Sequence, residues 1–139
     1  VTSVLTTIVD DLAARSRIPL KLEVTPRVDG SPWRLSNSQL RKINKSLLLV
    51  ADVTPINSVV KEDRSELIVD STVCVELGYG IQTKDSGQIL LLNMERTDLE
   101  GASPVDLPGY KQLSFTDGKQ LSKSLPQLIA TLLQRYSLF

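Results

Sequence analysis

Apolar residues recur along the chain with two different periods, and the change of period separates helices from strands. Helical spacing of Leu5, Ile8 and Leu12 predicts an amphipathic helix over residues 2–16. Leucines at similar spacing predict a second long helix over residues 118–136. Each helix carries an apolar stripe along one side, so each needs a surface to pack against.

Continuous apolar runs mark the buried strands. Residues 47–51 and 89–92 consist entirely of Leu, Val, Ala and Ile, which is typical of parallel strands covered on both faces. Two shorter segments, residues 20–25 and 111–115, predict further strands. Strands that alternate with helices in this way predict an α/β domain around a mostly parallel sheet.

Two more helices and two loops complete the expected organisation. Ser36 can cap a helix that carries Leu40 and Ile43, and another helix is expected to begin near Ser71 and to end before Gly87. The mixed charges of residues 56–68 and the two prolines in residues 93–109 predict long loops. We expect one domain over residues 1–139, cut from a longer protein because the chain opens on Val1 and a helix.

Composition removes several classes of chemistry. The 139 residues include no His and one Cys, and their formal net charge is zero. His triads, His-ligated metals and Cys-rich zinc sites are therefore excluded, and no disulfide can form within the chain. Zero net charge disfavours direct nucleic-acid binding, and no apolar run approaches the ~20 residues of a membrane span. We expect a cytoplasmic protein with no metal, and Cys74 as a small buried side chain.

Carboxylates gather where an open α/β sheet binds its ligands, beyond the carboxyl ends of its strands. Asp52 follows the second predicted strand, while Asp70 and Glu76 stand at the entrance of the next helix. A carboxylate there can attack an anomeric carbon or stabilise an oxocarbenium-like transition state. The structural alternatives stay open: Asp52 as a turn residue, Asp70 as a helix cap and Glu76 as a first-turn acid.

Other side chains near these acids could contact a ligand. An aromatic ring could stack on a base, although packing is the simpler explanation for both Trp33 and Tyr79, and guanidinium groups could meet phosphates. The substrate-binding candidates are Trp33, Tyr79, Arg27, Arg34, Ser31 and Thr54.

Four pieces of this sequence together resemble the bacterial TIR-like (Toll/interleukin-1 receptor-like) nucleotide-binding family. They are Gly30-Ser-Pro32, Ala51-Asp-Val-Thr54, Glu76-Leu-Gly-Tyr79 and residues 89–94. The resemblance covers residues 24–136 in the same order. It implies a flavodoxin-like three-layer sandwich whose usual first strand is missing from this chain.

The resemblance also implies an activity. The domain would cleave the nicotinamide–ribose bond of NAD, with Glu76 as the catalytic glutamate, NAD as substrate and no separate cofactor. Residues 27–34 would match the mobile loop over the active site. Such domains commonly self-associate, and often act as effectors in bacterial antiphage defence.

Three alternatives accompany this hypothesis. A non-catalytic TIR-like module could use the same surface for nucleotide sensing or assembly. The pattern is also similar to nucleoside 2-deoxyribosyltransferases, in which an Asp precedes the nucleophilic Glu by six residues as Asp70 precedes Glu76, so base exchange is a second enzymatic reading. A phosphoacceptor receiver domain is disfavoured, because Asp10 and Asp11 fall inside a helical pattern.

Overall fold

The computed structural model describes residues 1–24, 36–103 and 105–139. Within them the helices are α1 (Thr2–Ala13), α2 (Asn37–Lys45), α3 (Ser71–Thr83) and α4 (Gly118–Leu133). The strands are β1 (Leu49–Asp52), β2 (Asn57–Lys61), β3 (Arg64–Ile68), β4 (Ile89–Met94) and β5 (Lys111–Phe115). Short 3₁₀ turns span Ser86–Gln88 and Gln134–Tyr136. None of the described helices has the length and apolar character needed to cross a bilayer.

The central sheet has three parallel strands in the order β1-β4-β5. Leu49 of β1 pairs with Ile89 of β4, and Leu90 of β4 pairs with Lys111 of β5. This confirms the prediction of an α/β domain with a mostly parallel sheet. All three strands end at the same edge, which we call the carboxyl edge.

Alternation along β4 sends its side chains to two separate cores. Leu90 and Leu92 pack with residues of α1 and α4 on one face of the sheet. Ile89 and Leu91 pack with residues of α3 on the other. All four are at most 1% exposed, as the continuous apolar run predicted.

Side-chain caps confirm two predicted helix starts. Ser36 accepts a hydrogen bond from the backbone N–H of Gln39, whose side chain bonds back to the Ser36 N–H, so a capping box opens α2. Asp70 Oδ1 accepts from the Thr72 N–H at 2.9 Å and opens α3. These caps satisfy backbone donors that have no partner in the first helical turn.

The prediction of a long loop over residues 56–68 is wrong, because β2 and β3 form an antiparallel hairpin there. Its turn consists of Glu62 (φ 50°) and Asp63 (φ 63°), the left-handed pair that a two-residue hairpin turn requires. Neither residue is the glycine that usually announces such a turn. The mixed charges that suggested a loop are the side chains of an exposed hairpin.

Two smaller expectations are also wrong. Residues 20–24 lie in no strand of the described chain. Leu20 and Leu22 alternate with polar residues because one side of this segment packs on the α1 and α4 core, and not because the segment pairs with a strand. Cys74 is exposed, because it lies away from the stripe of Val73, Leu77 and Gly80 that α3 buries.

Candidate functional site

The carboxyl edge of the sheet is held together by Thr54. Its hydroxyl oxygen accepts a hydrogen bond from the Met94 backbone N–H at 2.9 Å, so it joins the segment after β1 to the end of β4. Its own N–H donates to Asp52 Oδ1 at 3.1 Å. Asp52 and Thr54 therefore form a local turn at this edge.

Helix α3 begins at the carboxyl edge and runs back along the sheet. Val73, in its first turn, packs in the same core as Val53, which follows β1. Near its other end, a Cβ on Gly80 would meet side chains of Leu49 and Ile89, the first residues of β1 and β4. The start of α3 and the ends of the strands therefore lie on the same side of the domain.

Glu76 lies on the flank of the buried stripe of α3. It follows Val73 by three residues and precedes Gly80 by four, and both of these are buried. Residues at these spacings share a helix face, and Glu76 is accordingly half-buried. At the rise of an α-helix, its Cα lies about 7.5 Å along the axis from the start of α3. Tyr79, three residues further on, is also half-buried.

The three predicted carboxylates do not share one face. Leu49 and Ala51 of β1 pack on the α3 side, and Val50 packs on the α1 and α4 side. Alternation therefore places the Asp52 side chain on the side opposite α3. Asp70 caps α3 and Glu76 lies within it, about 9 Å further along its axis. The common site of Asp52, Asp70 and Glu76 stays a prediction, in which Asp52 would have to reach the site around the carboxyl edge.

Sequence reasoning missed Asn93. It follows Ile89 and Leu91 at even spacing on β4, so its side chain lies on the α3 face near the carboxyl edge. Among the described residues, Asn93 Oδ1 is buried and has no hydrogen-bond partner. An unmet buried acceptor costs about 1–3 kcal/mol, and it would be satisfied by a donor from water or a ligand. The available signal was an amide at the end of a leucine run.

Lys84 is the second residue whose role the sequence pattern did not predict, because its ammonium group is buried. Lys84 is 8% exposed, and its Nζ donates to the carbonyl oxygens of Asn44 and Ser46 at the end of α2. Desolvation by burial lowers the pKa of Lys84. Because Lys84 follows α3 at the opposite end from Asp70, its role is to hold α2 against α3.

No metal cluster marks the carboxyl edge in the described part of the chain. Two surface depressions lie elsewhere: one of about 410 Å³ between α1 and α4, and one of about 340 Å³ between α1 and the C-terminal segment. No three His, Cys, Asp or Glu side chains converge among the described residues. Four substrate-binding candidates, Arg27, Ser31, Trp33 and Arg34, lie outside the described residues.

We find no match for this chain among protein-family models, curated proteins or solved structures. A functional assignment therefore has to come from the chemistry of its own residues.

Proposed function

We propose that this chain is a TIR-like domain of flavodoxin-like fold that hydrolyses the nicotinamide–ribose bond of NAD, with Glu76 as the catalytic residue. The observation that carries the proposal is the position of Glu76. It is half-buried and follows Val73 by three residues on the helix that starts at the carboxyl edge. Partial burial strengthens the attraction between a carboxylate and a developing positive charge.

The reaction needs only a carboxylate and water. The bond between C1′ of the ribose and the pyridinium nitrogen breaks, and its electron pair stays on nicotinamide, which leaves uncharged. The positive charge that develops on the ribose is stabilised by the Glu76 carboxylate. Water then adds to C1′ and releases one proton, so the products are nicotinamide and ADP-ribose.

Neighbouring residues have supporting roles in this proposal. Asp70 is a positioning residue, because its cap on the Thr72 N–H fixes the start of the helix that carries Glu76. Asn93 would hydrogen-bond a ligand through the amide oxygen that has no described partner. Tyr79 would contact the ligand beside Glu76. Asp52 and Thr54 would act indirectly, since their hydrogen bonds hold the edge together.

The remaining binding residues belong to the segment before α2. In the proposal Trp33 stacks on a base, Arg27 and Arg34 meet phosphates, and Ser31 bonds to the ligand. Depletion of NAD by such a domain would fit an effector role in antiphage defence.

The substitution Glu76→Gln tests the proposal. It keeps the size of the side chain and removes the negative charge, so nicotinamide release from NAD by the full-length protein should fall by roughly 100-fold or more. The thermal midpoint and circular dichroism should stay close to those of the parent protein. Nicotinamide release measured by chromatography, over a range of NAD concentrations, gives kcat and KM separately.

Glu95→Gln is the matched control, since Glu95 is an exposed acid that follows β4 at the same edge. It should leave nicotinamide release unchanged. Equal turnover in the Glu76→Gln variant and the parent would refute the catalytic role. Deoxyribose transfer between bases would favour the base-exchange reaction. A correctly folded parent protein that releases no nicotinamide would favour the non-catalytic module.

A further inference from the structure

The two edges of the β2–β3 hairpin differ in the described part of the chain: the edge of β3 is covered, and the outer edge of β2 has no described partner strand. On the outer side of β3, the Leu67 N–H donates to the Ala102 carbonyl oxygen at 2.9 Å, and the Ala102 N–H donates to the Ser65 carbonyl oxygen at 3.3 Å. This contact covers β3 with the loop after β4. No described strand pairs with the outer side of β2.

The register shows which backbone groups face that outer edge. Leu67 and Ser65 of β3 are opposite Ser58 and Val60 of β2. In an antiparallel pair, opposed residues that do not bond each other direct their backbone groups outward on both strands. Because Leu67 and Ser65 bond outward to Ala102, Ser58 and Val60 point outward from β2. The hydrogen bond of the Ser58 N–H is consistent with this outward direction, since it donates to Asn57 Oδ1 of its own strand at 2.8 Å and not to β3.

Strand β2 exposes two adjacent valines near its middle. Val59 is 45% exposed and Val60 is 76% exposed. Natural edge strands are usually protected by proline, a bulge or a central charge. The five residues of β2 include no proline and a single charge, Lys61, at the end of the strand.

We propose that β2 pairs in an antiparallel fashion with β2 of a second copy of this chain, about a two-fold axis at Val59. This is the one two-fold register in which all five residues of β2 are paired. It brings Ser58 of each copy opposite Val60 of the other. Both residues direct backbone groups outward, so the two pairs exchange four hydrogen bonds.

Charge and side-chain chemistry agree with this register. Lys61 of one copy is opposite Asn57 of the other, so no two like charges face each other. When the Ser58 N–H bonds the carbonyl oxygen of the second copy, Asn57 Oδ1 is released and can accept from that Lys61. A shift of the axis to Lys61 would instead oppose two ammonium groups. In this register Val59 of one copy gains Val59 of the other as its cross-strand neighbour, and Val60 gains Ser58 on the opposite face. The pairing is independent of the proposed reaction.

Crosslinking gives the sharpest test. The two copies of Val59 form a non-hydrogen-bonded pair, whose Cα atoms are about 4.5 Å apart in antiparallel sheets and so within reach of a disulfide. In a Cys74→Ser background of the full chain, Val59→Cys should give a covalent dimer under mild oxidation. Val75→Cys, at a valine of matched exposure (46%) on α3, supplies the rate for random collision.

Sedimentation equilibrium tests the same pairing without crosslinks. The parent chain should be a dimer at micromolar concentration, and Val75→Lys should remain one. Val59→Lys should shift the chain to monomers, because it brings two ammonium groups together at the axis. Val60→Pro should do the same by removing an outward N–H that β3 does not use.

The outcomes separate cleanly. Dimers lost in both β2 variants, with unchanged circular dichroism, support the pairing. A monomeric parent chain overturns it, as does a dimer that survives Val60→Pro, or crosslinking of Val59→Cys no faster than that of Val75→Cys. Binding of an unrelated extended peptide to a monomeric parent would likewise overturn self-pairing.

Discussion

The central sheet and the hairpin are both β-structure, but different forces hold them in place. In the sheet, Leu90 and Leu92 have no exposed surface, and helices cover both faces. In the hairpin, Val60 is 76% exposed. The hairpin depends instead on its two-residue turn, its cross-strand hydrogen bonds and its attachment to Ala102. Burial therefore stabilises the sheet, whereas local geometry and a few polar contacts stabilise the hairpin.

The largest effect expected from this comparison is in the sheet. Leu92→Ala should lower the free energy of unfolding by about 3–4 kcal/mol, because it removes buried surface and leaves a cavity between the sheet and helices α1 and α4. Ile56→Ala, at a residue that is 58% exposed just before β2, should change it by about 0.5 kcal/mol or less. Urea titrations of both variants provide the measurement. Equal losses would show that the hairpin is buried as deeply as the sheet.

Gly101→Ala should detach the hairpin without unfolding the sheet. Gly101 has φ of +133°, and a Cβ there would lie 2.5 Å from the Ser65 carbonyl oxygen. The strain should cost about 1–3 kcal/mol. Amide exchange should therefore become faster at Leu67 and Ala102, whose bonds join the loop to β3, while amides of β4 keep their protection.

Gly109→Ala serves as the control for this substitution. Gly109 lies in the same loop, and a Cβ there meets no atom within 4 Å. Exchange at Leu67 should not respond to it. Uniform loss of protection across β4 in Gly101→Ala would mean that hairpin and sheet unfold as one unit.

Substitutions at two glycines of α3 test how closely this helix packs against the sheet. A Cβ on Gly78 meets no atom within 4 Å, whereas one on Gly80 would clash with Leu49 Cδ2. Gly78→Ala should stabilise the protein by about 0.5–1 kcal/mol, as glycine is unfavourable inside a helix. Gly80→Ala should destabilise it by about 1 kcal/mol, because Leu49 has to move. Thermal midpoints that shift in the same direction would contradict this difference.

The smallest effect concerns pH at the base of the hairpin. Arg96 donates to the Pro55 carbonyl oxygen just before β2, and it forms two hydrogen bonds with Asp98. Those bonds lower the pKa of Asp98 to about 2, below the value of about 3.9 for an unfolded chain. The contribution to stability is therefore complete above about pH 4. It is lost as the pH falls through about 2.

An NMR titration of the Asp98 carboxyl group measures this pKa directly. Exchange at the amides of β2 should become faster between about pH 4 and pH 2, after correction for intrinsic exchange. Asp98→Asn should remove that pH dependence. An Asp98 pKa close to 4 would show that the Arg96 contact does not persist in solution.

The candidate site was partly predictable. The length of the segment that contains Glu76 favoured a helix over a strand, and the predicted start near Ser71 is confirmed by the Asp70 cap. The sequence marks Asn93 only as an amide at the end of a leucine run, because the burial of its Oδ1 depends on α3 covering that face of β4. The separation of Asp52 from Glu76 depends on which face β1 turns toward α3, and a run that is apolar on both faces carries no such information.

By itself, the sequence determined which segments are helices and which runs are buried strands, because periodicity and capping are local properties of neighbouring residues. Only the tertiary structure showed that residues 57–68 form a hairpin, that Cys74 is exposed, and which strand side chains lie on each face of the sheet. In the hairpin, Glu62 and Asp63 adopt positive φ without glycine, since cross-strand bonds and the contact with Ala102 offset the strain. Ala102 lies more than thirty residues further along the chain, so no pattern within residues 56–68 could predict its contact with β3.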